Sequence, residues 1–258
     1  MPLNTYKLII QYKGTAYQGW QIQPQGKTVQ GEVNKALAKI SKCEDLKTIG
    51  SGRTDSGVHA LGQTVKATIS LEIGNDELKR GLNSLLPDDI KILAVERANE
   101  SFHPIGDSEW KEYIYLFSTN RETSLFHSDF LSIYPYQLDI ERMKKACELF
   151  VGRHDFADFQ CVGTEVNSTT REIFECELVE FKSDWGIFPP SEDVFSLRVK
   201  GDGFLKQMVR LMVGTLWNIG LSKTHLEELE SSLAAPTGIK LGAVAPAQGL
   251  YLNKVFYP

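Results

Sequence analysis

Residues 28–40 read TVQGEVNKALAKI. Val29, Val33, Leu37 and Ile40 recur at steps of four, four and three, the spacing that lines one face of an α-helix. Thr28 stands where an N-cap belongs. On the N-terminal side, YKLIIQY (6–12) is rich in β-formers and stops at Gly14, so a strand precedes the helix. On the other side, a short strand near 46–50 runs into residues 51–63, and TVKATISLEI (64–73) alternates as another strand. Asn75 begins a helix, DELKRGLNSLL, that Pro87 ends, and IKILAVERA (90–98) reads as a further strand. The order is β-α-β-β-α-β, the split βαβ pattern.

The second half repeats this order. WKEYIYLFS (110–118) reads as a strand, and Asp139 caps a helix with Ile140, Met143, Cys147, Phe150 and Val151 on one face. Strands near 171–181 and 194–200 precede a long apolar helix, 203–219. An extra helix follows near 222–233, and GLYLNKVFY (249–257) closes the chain as a strand. The expected fold is α+β: two ferredoxin-like (RRM-like) halves, 1–106 and 107–258. They are expected to form one continuous, mostly antiparallel sheet with helices on one face and a cleft on the other.

Composition supports a packed core. Of 258 residues 42% are hydrophobic and 24% charged, which excludes wholesale disorder. No stretch approaches the ~20 apolar residues a membrane-spanning helix needs, and MPLNTYKLIIQYKG lacks the pattern of a signal peptide. A cytoplasmic protein is expected. Cys43, Cys147, Cys161 and Cys176 are scattered and read as reduced thiols, and the histidines form no ligand cluster, so structural zinc is disfavoured. The net charge of −5 speaks against a binder of nucleic acid driven by overall charge. Its distribution says more: residues 1–53 carry eight Lys/Arg against Glu32, Glu44 and Asp45, whereas residues 172–193 carry seven acids against Lys182.

The stretch that carries chemistry is SGRTDSGVHALGQ (51–63). Three glycines allow tight turns and close approach of a ligand. No G-K-[ST] follows, so it is not a Walker loop, and it is not a dinucleotide fingerprint. It presents Arg53 and Asp55 together. A carboxylate beside a guanidinium is held ionised, able to act as nucleophile or general base but not as a proton donor. On residue types alone, an Arg–Asp pair bracing a surface loop is the competing reading.

This loop resembles the catalytic loop of the bacterial tRNA pseudouridine synthases of the TruA family. Other segments agree, in order: YKGTAYQGWQIQ with TVQGEVNKAL, FHP (102–104), WKEYIY (110–115), GRHDFADF (152–159), GFLKQMVRLMVGTL (203–216) and GLYL (249–252). The resemblance implies an isomerase that converts uridine to pseudouridine in the anticodon stem-loop of tRNA, at positions 38–40. It also implies no cofactor, no metal and a homodimer that cradles tRNA. Asp55 falls on the essential aspartate and Arg53 on the arginine beside it. Tyr113 falls on the active-site tyrosine, whose ring can stack on an extruded uracil. Arg210, in an otherwise apolar helix, falls on an arginine that approaches the aspartate, which implies an Arg53–Asp55–Arg210 cluster. Leu250 is implied as a wall of the uracil pocket, or is a core strand residue.

His59 and Gln63 either position the loop or touch RNA, and Tyr17 and Trp20 are either a stacking surface or core. The chain departs from the family at Ile22 and at Pro104-Ile105, where basic residues are frequent, and Gly106–Glu109 adds acid before the Tyr113 strand. Two rival functions remain. A non-catalytic pair of RRM-like domains would carry the aromatic RRM signature, absent here. A glycoside hydrolase would need two carboxylates flanking one bond.

Overall fold

The computed structural model describes residues 3–43, 46–161, 163, 166–181 and 193–258. Two compact units divide the chain: Met1–Glu109 together with Tyr251–Pro258, and Trp110–Leu250.

In the first unit β1 (Asn4–Tyr12) leads to α1 (Val29–Ser41), whose start is capped as the sequence indicates: Gly31 N donates to Thr28 Oγ1 at 3.3 Å. Val29, Val33 and Leu37 are fully buried, and each such side chain contributes about 1.5–3 kcal/mol by leaving water. Then come β2 (Lys47–Gly50), β3 (His59–Ile69), α2 (Asn75–Leu85) and β4 (Ile90–Arg97). The strands lie in the order β4-β1-β3-β2, every pair antiparallel. Tyr6, Leu8 and Ile10 are fully buried, and α1 and α2 pack on each other.

The second unit holds β5 (Trp110–Ser118), β6 (Ser132–Ile133), α3 (Ile140–Phe150), β7 (Gly152–Asp155), β8 (Thr170–Glu180), β9 (Val194–Gly201), α4 (Met208–Gly220) and α5 (Leu226–Ala234). Here β5-β9-β8-β7 run antiparallel and β6 lies parallel to β5. Asp139 caps α3 by accepting from Arg142 N at 2.9 Å. α4 lies directly on the 242–245 backbone. A Cβ on Gly214 would come within 1.8 Å of Ala243 O, so only glycine permits this approach.

The last strand, β10 (Leu250–Phe256), is shared by the chain order and the units differently. Its residues from Tyr251 belong to the first unit, where Tyr251 and Leu252 pair in parallel with His59 and Ala60 of β3. The units differ from the halves 1–106 and 107–258 at residues 107–109 and from Tyr251 onward.

The chain is mixed α+β with mostly antiparallel strand pairs, as expected. Three local expectations change. β3 begins at His59, inside the motif read as a loop. α4 begins at Met208 rather than 203, because Gln207 takes a left-handed conformation (φ 65) that a helix cannot include. The short strands β6 and β7 carry no alternation long enough to read. Part of the acidic stretch 172–193, residues 182–192, lies outside the described residues, as do Glu44 and Asp45. Of the described acids there, Glu175 and Glu177 pair with Lys200 and Arg198 on the neighbouring strand. Among the described residues no helix is long and apolar enough to cross a membrane.

Candidate active site

Residues 51–58, between β2 and β3, are pinned by backbone and side chain together. Ser51 N donates to Thr64 O at 2.8 Å, and Trp20 N donates to Thr54 O at 3.1 Å. Gly57 N donates to Tyr17 O at 3.2 Å, and the Ser56 hydroxyl donates to the same carbonyl at the same distance. The segment 14–20 therefore lies along one side of the loop. Contact is closest at Gly14, where an added Cβ would sit 1.9 Å from Val58 O. From the other side Gln63 reaches back: its Oε1 accepts from Ser51 Oγ at 2.6 Å and its Nε2 donates to Gly52 O at 2.7 Å.

Thr54 turns inward and shares a 2.8 Å hydrogen bond with the Tyr12 hydroxyl. Of its neighbours, Arg53 is exposed and Asp55 half-buried. Among the described residues Arg53 forms no ion pair, so the loop is braced by Gln63, Thr54 and Gly14 rather than by an Arg53–Asp55 bridge. His59 is buried on β3, accepts from Gly14 N at 3.0 Å through Nδ1, and stacks on Tyr251 with ring centroids 4.8 Å apart. His59 and Gln63 are thus buried and hold the loop. Tyr17 and Trp20 are core side chains. The Tyr17 hydroxyl donates to Asp89, and burial followed by that carboxylate pushes its pKa up.

In the second unit, alternation along β5 turns Lys111, Tyr113, Tyr115 and Phe117 to one buried side. The Tyr113 ring meets Phe204 edge to face, centroids 4.9 Å apart and planes at 76°. Tyr115 is locked differently, its hydroxyl bonded to Ser132 Oγ at 2.6 Å and donating to Pro246 O at 2.9 Å. Burial raises its pKa, while Ser132 and the Arg210 cation pull the other way. Arg210 sits in the first turn of α4, half-buried. Its Nε donates to Ala245 O at 2.6 Å, and Ala245 N donates back to Arg210 O at 3.1 Å. Leu250 is buried at the start of β10.

Two residues here escaped the sequence reading. Phe204 was placed in a helix, but it lies on the turn before α4. Lys111 has its amine lowered to about 8, first by burial, then by the nearby Arg171, with Asp202 opposing. Its signal was a lysine in phase with Tyr113 and Tyr115. The departures at 104–107 build a turn of their own: Pro104 O accepts from the Tyr257 hydroxyl at 2.7 Å, and His103 Nδ1 accepts from Gly106 N at 3.0 Å. Ile22 and Ile105 are exposed. Among the described residues no group of three or more His, Cys, Asp or Glu side chains is placed to hold a metal ion.

Comparison with known proteins places this geometry in context. A family model described as tRNA pseudouridine synthase matches residues 8–105 and 146–258. A protein of Bacillus pumilus named tRNA pseudouridine synthase A is 41% identical over 252 residues, covering 97% of this chain and 98% of its own length. Its namesakes from Ruminiclostridium cellulolyticum and Listeria welshimeri are 38% and 37% identical, each over 99% of this chain and 100% of their own length.

Proposed function

The chain belongs to the tRNA pseudouridine synthase family, and on that footing we propose Asp55 as the carboxylate with which it works. The protein is an isomerase acting on uridine in tRNA: the N-glycosidic bond breaks, the uracil turns, and C5 bonds to C1′. One observation carries the assignment of Asp55. A loop tied down on both flanks holds this carboxylate half-buried, and a fixed group needs no reorganisation before reaction. Asp55 then adds to the nucleotide or takes its proton.

The other roles belong to the same proposal. Arg53, exposed beside Asp55, contacts the RNA or fills the gap the extruded base leaves. Tyr113 stacks on the uracil, supplying about 1–3 kcal/mol per base against a flipping cost of a few kcal/mol. Arg210 is the second arginine of the site that the family resemblance implies, and Leu250 walls the pocket. His59 and Gln63 act by holding the loop. The substrate site is the anticodon stem-loop, positions 38–40, bound by a homodimer in the cytoplasm without cofactor or metal. Each half is taken to be a ferredoxin-like β-α-β-β-α-β unit, a reading that the element order and antiparallel 4-1-3-2 strand order of the first unit support. Mapping pseudouridines in tRNA from cells with and without the protein tests the substrate: loss confined to positions 38–40 is expected, and an unchanged map would overturn it.

A further inference from the structure

The turn between β9 and α4 is fixed at almost every residue except the one it displays. Asp202 clasps β8 twice: its N–H donates to Glu172 O at 3.0 Å, and its carboxylate accepts from Glu172 N at 3.0 Å. Leu205 is buried and its carbonyl accepts from Met208 N at 3.1 Å, while Lys206 O accepts from Cys161 N at 2.9 Å. Gln207, left-handed, then turns the chain into α4. Between these anchors Phe204 is only half-buried, and its ring meets Tyr113 edge to face.

A half-exposed aromatic on a rigid turn has no packing reason to be so firmly aimed. Tyr115, two residues on, has its hydroxyl tied to Ser132 and Pro246. An aromatic face offered to a uracil must keep one orientation before the base arrives, and an edge-to-face neighbour supplies that bias through the ring quadrupole. We propose that Phe204 is a positioning residue for the isomerisation, holding the Tyr113 ring in the orientation that receives the extruded uracil. The inference rests on the stacking role assigned to Tyr113 above. It makes the Asp202–Gln207 turn a single device that aims Tyr113 at one end and starts the helix bearing Arg210 at the other.

Two readouts test it separately. In protein labelled with 3-fluorotyrosine, the Tyr113 fluorine signal (assigned by its loss in Tyr113→Phe) should shift and broaden in Phe204→Ala, while that of Tyr115 stays in place. With tRNA as substrate, kcat should fall about tenfold in Phe204→Ala and about threefold in Phe204→Leu, with KM nearly unchanged, and Phe204→Tyr should restore it. An unmoved Tyr113 signal in Phe204→Ala, or a wild-type kcat there, overturns the proposal. So does a loss that appears in KM alone. If the wild-type protein converts no uridine in tRNA, the isomerase reading fails instead, and the fluorine signal still judges the Phe204–Tyr113 contact.

Discussion

Gln63 and Ser51 are joined side chain to side chain, the Ser51 hydroxyl donating to the Gln63 amide oxygen at 2.6 Å while the amide nitrogen donates onward to Gly52. Both side chains are fully buried. Truncating Gln63 to Ala leaves a buried hydroxyl and a carbonyl without these partners, a loss of about 1–3 kcal/mol. Urea unfolding should show that drop. Gln63→Glu, which sets an acceptor against the Gly52 carbonyl in a fully buried site, should lose at least as much. Unchanged stability in both variants would remove Gln63 from the loop's support.

Asp55→Asn and Asp55→Ala should lower pseudouridine formation at least about 100-fold, because neither side chain can add to the nucleotide or take a proton. Tritium release from tRNA labelled at uridine C5 measures this, and filter binding should find tRNA affinity largely intact. Turnover near the wild-type rate in either variant would rule out the carboxylate.

Tyr113→Phe keeps a ring and should keep partial activity, whereas Tyr113→Ala should lose nearly all of it. The same tritium assay distinguishes them. Equal rates in the two variants would exclude stacking as the tyrosine's role.

Gly14→Ala drives a methyl group to 1.9 Å from Val58 O, so the backbone on one side must move. The cost should be about 1–3 kcal/mol in stability, accompanied by lost turnover because the displaced segment is the one bearing Asp55. A variant with full stability and activity would mean that the contact relaxes freely.

Lys111 sets a pH dependence. Folding lowers its amine from 10.5 to about 8, so between those values the unfolded chain binds more protons and stability rises with pH. Below about pH 8 both states are charged and the whole cost of burying the cation is present. Between pH 7.5 and 9.5 the wild-type protein should therefore gain about 2 kcal/mol relative to Lys111→Met. Parallel stability curves for the two proteins would contradict the shift.

Much of the first unit could be read from local pattern. The four-four-three spacing of Val29, Val33, Leu37 and Ile40 and the hydroxyl of Thr28 are properties of neighbours in the chain, and α1 follows from them. The start of β3 could not be read that way. His59 pairs with Tyr251, 192 residues further along, and Ala60 pairs with both Leu252 and Tyr12. The late start of α4 could not be read either, since nothing in GFLKQMVRLMV marks Gln207 as the left-handed residue that delays the helix. For the loop, sequence singled out the segment and, within it, Arg53 and Asp55, one exposed and the other half-buried. It could not show that buried Gln63 and His59, rather than an Arg53–Asp55 bridge, would brace the loop.

The parallel pairing of Tyr251 and Leu252 with His59 and Ala60 has a temporal side. A ribosome makes β3 early and β10 only after all of the second unit, so a growing chain carries the 51–58 loop next to an unfilled strand position. Until β10 emerges, β3 lacks the strand that pairs with His59 and Ala60, and a product clipped before Tyr251 would leave the 51–58 loop without that neighbour.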